Sequence, residues 1–160
     1  MRKIIFLDFD GVLNTEYYQG LLQFQGKQWQ DQYGAFFDPR AVRQLKRVID
    51  TTDADIVVES SWKYLGLEAM QELWRVRNLP GRVIDITPSL TGNVSKGEEI
   101  AAWLSEHVTP DTPYVIIDDE YVVLDTQIPY FIWTNPYEGL TEDHADRAML
   151  ILNSLGKAYC

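Results

Sequence analysis

Lys3-Ile4-Ile5-Phe6-Leu7-Asp8-Phe9-Asp10-Gly11 is the stretch that decides the fold. Its apolar run shows no alternation of polar and apolar positions, the pattern of a strand buried on both faces of a parallel sheet. The run ends on two carboxylates, Asp8 and Asp10, spaced i, i+2. In open α/β sheets the carboxyl ends of the strands line the ligand crevice, so both acids are expected in a cleft. Carboxylates that close raise each other's pKa unless a cation neutralises them. Mg²⁺ suits that place, because it prefers oxygen ligands and takes only one or two protein carboxylates beside a substrate phosphate.

Outward from this stretch, strands and helices alternate. Asp38-Pro39 reads as an N-cap with proline at the first helical position, and Ala41, Val42, Leu45, Val48 and Ile49 then share one helical face. Residues 54–59 are expected as a second strand, bringing Ser60 to the sheet edge that holds Asp8. A helical pattern covers 67–77 and stops before the turn signature Asn78-Leu79-Pro80-Gly81. Residues 82–87 are a third strand, and Ser95-Lys96-Gly97-Glu98 is a capping box that opens a helix with Ile100, Trp103, Leu104 and His107. A fourth strand at 114–117, a fifth at 131–134 and a last helix capped by Thr141 complete the pattern. The expected fold is α/β, a doubly wound, mainly parallel, Rossmann-like sheet in one domain, 1–160. Residues 14–37 match neither a strand nor a cleanly capped helix and are read as a flap. No interval is long enough for a large cap domain.

Composition narrows the function. An apolar content of 46% suits a globular core. No basic segment precedes a long apolar stretch, and no run approaches the roughly 18 apolar residues of a membrane span, so a soluble, cytoplasmic protein without membrane partners is expected. Cys160, the single cysteine, has no partner for an internal disulfide. The net charge of -10 argues against strong bulk affinity for nucleic acid, which draws on Lys and Arg to neutralise phosphates.

Asp8-Phe9-Asp10-Gly11-Val12-Leu13 resembles the first motif of the haloacid dehalogenase (HAD) superfamily, and three further stations follow in that family's order. The strand ending in Ser60-Ser61-Trp62 is similar to the second motif, Ser95-Lys96-Gly97-Glu98 to the third, and Tyr114-Val115-Ile116-Ile117-Asp118-Asp119 to the fourth. At finer grain, Ser60-Ser61-Trp62, Ala101-Ala102-Trp103-Leu104 and Gly139-Leu140-Thr141 resemble the HAD domain of Swiss-Army-knife RNA-repair proteins. Where that branch often carries Arg after the Trp, this chain has Lys63.

The resemblance implies an Mg²⁺-dependent phosphatase. Asp8 would be the nucleophile and Asp10 the general acid, then base. Ser60 would bind the phosphoryl group, with Ser61 as its rival should the register slip by one. Lys96 would face the same group, a reading strengthened by its place in a first helical turn, where a cation opposes the helix dipole. The metal set would be Asp8, Asp118, the backbone carbonyl of Asp10, and Asp119 either as a ligand or as an orienter of the others. Trp62 is read as either core or substrate contact, Lys63 as a substrate contact and, with Lys27, as part of a short basic set near the site. Glu16, Tyr17 and Tyr18 are flap residues near the leaving group. Glu120, His107 and His144 are read as outside the chemistry. The expected partner is a phosphorylated small molecule or a nucleic-acid end. A receiver domain of two-component signalling shares this chemistry but orders its acids and lysine differently. The remaining alternatives are a small-metabolite phosphatase and a catalytically silent, metal-dependent binding module.

Overall fold

Ile4, Ile5, Phe6 and Leu7 have no solvent exposure, and the reason is a sheet covered on both sides. The computed structural model describes residues 2–154; Cys160 lies outside them. Five parallel strands, β1 (Ile4–Leu7), β4 (Asp55–Val58), β5 (Val83–Ile86), β6 (Tyr114–Asp118) and β7 (Phe131–Trp133), stand in the order β5-β4-β1-β6-β7. Alternate residues of β1 divide between the two faces. Ile5 and Leu7 join a core with α2 (Pro39–Thr52), α3 (Leu67–Val76) and α5 (Glu142–Ser154). Ile4 and Phe6 pack on the other face against Ile100 and Trp103 of α4 (Lys96–His107). Each such side chain contributes about 1.5–3 kcal/mol by leaving water. The fold is therefore the expected doubly wound sheet, with strand and helix limits within two residues of the sequence reading.

Strand order sets where a ligand can bind. From β1 the chain builds outward through β4 to β5, then returns to β1's other side for β6 and β7. The reversal lies at β1, and crevices form at the carboxyl ends of strands at such switch points.

The helix caps follow their local chemistry. Asp38 accepts a hydrogen bond from the Arg40 N–H at 2.9 Å with Pro39 beside it, and Ser95 with Glu98 forms the reciprocal capping box. Thr141 accepts from the His144 N–H at 3.4 Å, and the His144 ring returns to Thr141, so His144 belongs to a cap. His107 stacks on Trp103 at 4.5 Å.

The flap departs from the sequence reading. Residues 14–37 contain a capped helix, α1 (Glu16–Phe24), and a short antiparallel pair, β2 (Gln30–Asp31) with β3 (Gly34–Ala35). Thr15 caps α1 by accepting from the Tyr18 N–H at 3.0 Å, and its hydroxyl donates to Asp38 at 2.8 Å. Arg77 holds the hairpin from outside: it bonds both carboxylate oxygens of Asp31, at 2.7 and 3.1 Å, and the carbonyls of Gly34 and Ala35. Two-residue strands have no readable period, and their anchor lies far along the chain. No large cap is present among the described residues, and none of their helices is long and apolar enough to cross a membrane.

Candidate active site

Three neighbouring strands end level with one another. Leu7 pairs with Val58 on one side and Ile117 on the other. The next residue of each strand is an acid, so Glu59, Asp8 and Asp118 stand abreast at the carboxyl edge. The Asp8 N–H bonds the Ile117 carbonyl and the Glu59 N–H the Leu7 carbonyl, both at 3.0 Å, which fixes this alignment. All three acids are buried. Asp119 completes the group: carboxylate atoms of Asp8, Asp118 and Asp119 lie within 4.8 Å of one another.

Lys96 reaches into this cluster from the first turn of α4. Its Nζ is 3.0 Å from Asp118 Oδ2, 3.6 Å from Asp8 Oδ2 and 3.8 Å from Glu59 Oε2. The helix dipole disfavours a cation here, and the surrounding carboxylates outweigh it. Burial works against the Lys96 charge, yet Glu59, Asp8 and Asp118 together raise its pKa. Asp118 also accepts the Glu120 N–H at 2.9 Å. Burial would raise Asp118, but the Lys96 ammonium and that N–H bring it below the ordinary carboxylate value.

One ammonium does not balance four acids. Burial pushes Asp8 up to about 8, the Asp118 charge adds to the rise, and Lys96 opposes it. Burial and Asp118 likewise raise Asp119 to about 6. Glu59 lies well above the ordinary value, first through burial and then through Asp118, and neither of its carboxyl oxygens has a hydrogen-bond partner among the described residues. Excess buried negative charge with convergent oxygen atoms is the donor set a hard divalent cation requires. Asp8, Asp118 and Asp119 fit Mg²⁺.

A family model described as the HAD domain in Swiss Army Knife RNA repair proteins matches residues 4–145. The chain belongs to this family. No match exists among curated proteins or solved structures.

In this HAD domain the Asp10 side chain stands apart from the acid cluster. One oxygen accepts from Asn14 Nδ2 at 2.7 Å, the other from Trp62 Nε1 at 3.3 Å, and the residue is exposed. Gly11 makes the close approach of the two acidic loops possible. Its φ is +77°, and a Cβ there would lie 2.3 Å from Asp119 Oδ2. The Gly11 carbonyl accepts from the Thr134 hydroxyl at 2.8 Å, tying this turn to the end of β7.

Ser60 is buried and caps the 3₁₀ turn Ser61–Leu65 by accepting from the Trp62 N–H at 3.2 Å. An accepting hydroxyl still has a proton to donate. Ser61 is exposed. Trp62 packs on Phe9 and Phe37, in keeping with its core reading, while its ring N–H holds Asp10. Lys63 is turned into the fold: its Nζ is engaged by Glu99 at 2.8 Å, Thr87 at 2.9 Å and the Pro88 carbonyl at 3.1 Å. Its charge is consumed inside the fold, which removes it from the short basic set. Lys27 is exposed in the flap. Glu16 borders the cleft beside Asp10, whereas Tyr17 packs on Tyr137 and under the Arg40 guanidinium. Tyr18 donates its backbone N–H to the α1 cap.

Glu59 and Asn14 are the residues that motif reading passed over. Glu59 carries a signal of its own, since a Glu continuing Ile56-Val57-Val58 is a charge at a position that otherwise reads as core. Asn14 offered only its closeness to Asp10 in sequence.

Proposed function

We propose that this chain is an Mg²⁺-dependent phosphomonoester hydrolase that works through an aspartyl-phosphate on Asp8. The family is generally one of Mg²⁺-dependent phosphatases, and the observation that carries the reading here is the division of labour between two aspartates. Asp8 is buried next to Asp118 and beside the half-buried Asp119 and Lys96, while Asp10 is held apart by Asn14 and Trp62 at the mouth of a cleft. Mg²⁺, when bound by Asp8, Asp118 and Asp119, with the Asp10 carbonyl as the family's further ligand, supplies positive charge that offsets the repulsion between nucleophile and phosphate.

The chain's own residues account for the rest. The Asp8 carboxylate attacks phosphorus, and the bond from phosphorus to the ester oxygen breaks. Asp10 gives its proton to the departing oxygen, then takes one from water as that water attacks the aspartyl-phosphate. Phosphate leaves and Asp8 is restored. Lys96 lowers the negative charge that the phosphoryl group meets, and the Ser60 hydroxyl donates to a phosphoryl oxygen.

The preferred substrates in this reading are terminal phosphates of nucleotides or short oligonucleotides, as the RNA-repair family suggests. Phosphate release from a panel of phosphomonoesters with Mg²⁺, compared with Asp8→Asn, tests the reading. Turnover that disappears in the variant and in chelator supports it. Strong preference for a small sugar phosphate would favour a metabolite phosphatase, and silence on every ester would favour a binding module.

A further inference from the structure

The group that protonates the leaving oxygen also marks where the leaving group lies. Asp10 lines a cleft of about 430 Å³ under the flap, bordered by Asp119, Glu16, Gln23, Trp29 and Pro136. That volume lies within the usual range for small-molecule sites. Because the ester oxygen departs toward Asp10, the alcohol attached to it occupies this cleft. Two features select among alcohols. Trp29, on the chain just before β2, is 40% exposed and supplies an aromatic surface; the amide of Gln23, exposed on α1, can both donate and accept. The charged residues on the walls are all acids, Asp10, Glu16 and Asp119, with no Lys or Arg lining the cleft among the described residues. A flat, neutral, hydrogen-bonding group is favoured there, and a second phosphate is repelled.

We propose that this cleft binds the nucleoside portion of a nucleoside monophosphate, with the base stacked on Trp29 and its edge read by Gln23, and that it disfavours leaving groups carrying a further phosphate. The proposal rests on the phosphatase reading and narrows its substrate class. Lys63 points the same way, since its engagement by Glu99 leaves one cation fewer for the further phosphates of a longer nucleic acid. An exposed aromatic pair, Tyr121 and Trp133, flanks Asp119 on the β7 side, outside this cleft, and provides the internal control.

The experiment measures kcat/KM of the full chain with Mg²⁺ on a nucleoside 5′-monophosphate, ribose 5-phosphate and a nucleoside 3′,5′-bisphosphate. Wild type, Trp29→Ala, Trp29→Phe and Tyr121→Ala are compared. Wild type should prefer the monophosphate over ribose 5-phosphate by about tenfold or more, the usual effect of one stacked base, and should turn over the bisphosphate more slowly, because the acids Asp10, Glu16 and Asp119 repel its second phosphate. Trp29→Ala should remove the preference over ribose 5-phosphate by lowering kcat/KM on the nucleotide far more than on ribose 5-phosphate, Trp29→Phe should keep most of it, and Tyr121→Ala should behave as wild type. The proposal is overturned by equal losses on nucleotide and ribose phosphate in Trp29→Ala, by faster turnover of the bisphosphate, or by loss of the preference in Tyr121→Ala. Turnover of ribose 5-phosphate with no nucleotide preference overturns this proposal alone; no turnover of any ester overturns it together with the phosphatase reading.

Discussion

Asp10 and Gly11 occupy adjacent positions and fail differently when changed. Asp10→Asn keeps the hydrogen-bonding shape but removes the transferable proton. It should lower turnover by about 10²–10⁴-fold and leave Mg²⁺ affinity, measured by calorimetry, close to wild type. Gly11→Ala places a methyl against Asp119 in a backbone conformation that side chains avoid. It should cost about 1–3 kcal/mol of stability and weaken Mg²⁺ binding, so a variant with unchanged calorimetry would contradict the close approach. The acids also set a pH dependence. Asp8, Asp119 and Glu59 are all raised in the folded protein, so between the unfolded value of 3.8 and about 8 the folded state holds more protons at Asp8 than the unfolded chain. Stability from these groups is therefore lost as pH rises through that window, while Asp118, which is lowered, contributes in the opposite sense. The metal-free protein should melt lower at about pH 8 than at about pH 5, and Mg²⁺ should raise the melting temperature more at the higher pH. A metal-free melting temperature that climbs across the window would show that the cluster is not held in its acid-rich arrangement.

At the scale of elements, the flap hairpin depends on one distant side chain. Arg77 at the end of α3 grips Asp31 and two hairpin carbonyls while stacking near Phe37 and Phe36. Arg77→Ala should cost about 1–3 kcal/mol, speed hydrogen exchange in 28–36, and raise KM more than it lowers kcat. Gly34, at φ +137°, lets the hairpin lie on the Trp62 ring, since a Cβ there would lie 2.6 Å from it. The difference between legible and illegible elements is physical. Ile4–Leu7, the Asp38-Pro39 cap and the Ser95–Glu98 box each carry their instructions within a few neighbouring residues. The hairpin does not, because Arg77 and Asp31 meet only after folding, and the glutamines of α1 conceal its apolar side. Glu59 falls between these cases. Its charge was visible in a strand pattern, but its place beside Asp8 follows from the register of β1 with β4.

For the whole molecule, charge and topology act together. The reversal of strand order at β1 gathers acids from β1, β4 and β6 at one edge, and α4 brings its first-turn lysine to the same point. Four motifs separated by dozens of residues were readable because each ends a strand or begins a helix. Their distances were not readable, since these depend on sheet register and helix packing. With a net charge of -10 and few free cations near the cleft, kcat/KM on a mononucleotide should change only slightly between about 50 and 200 mM salt, unlike the steep loss of a protein that contacts many phosphates. The most direct measurement is acid-quenched peptide mass spectrometry after mixing the protein, Mg²⁺ and a turned-over phosphomonoester. The account predicts a phosphoryl group on the peptide carrying Asp8, absent in Asp8→Asn and in chelator. Steady turnover with no phosphoryl group on that peptide, or undiminished turnover by Asp8→Asn, would contradict it.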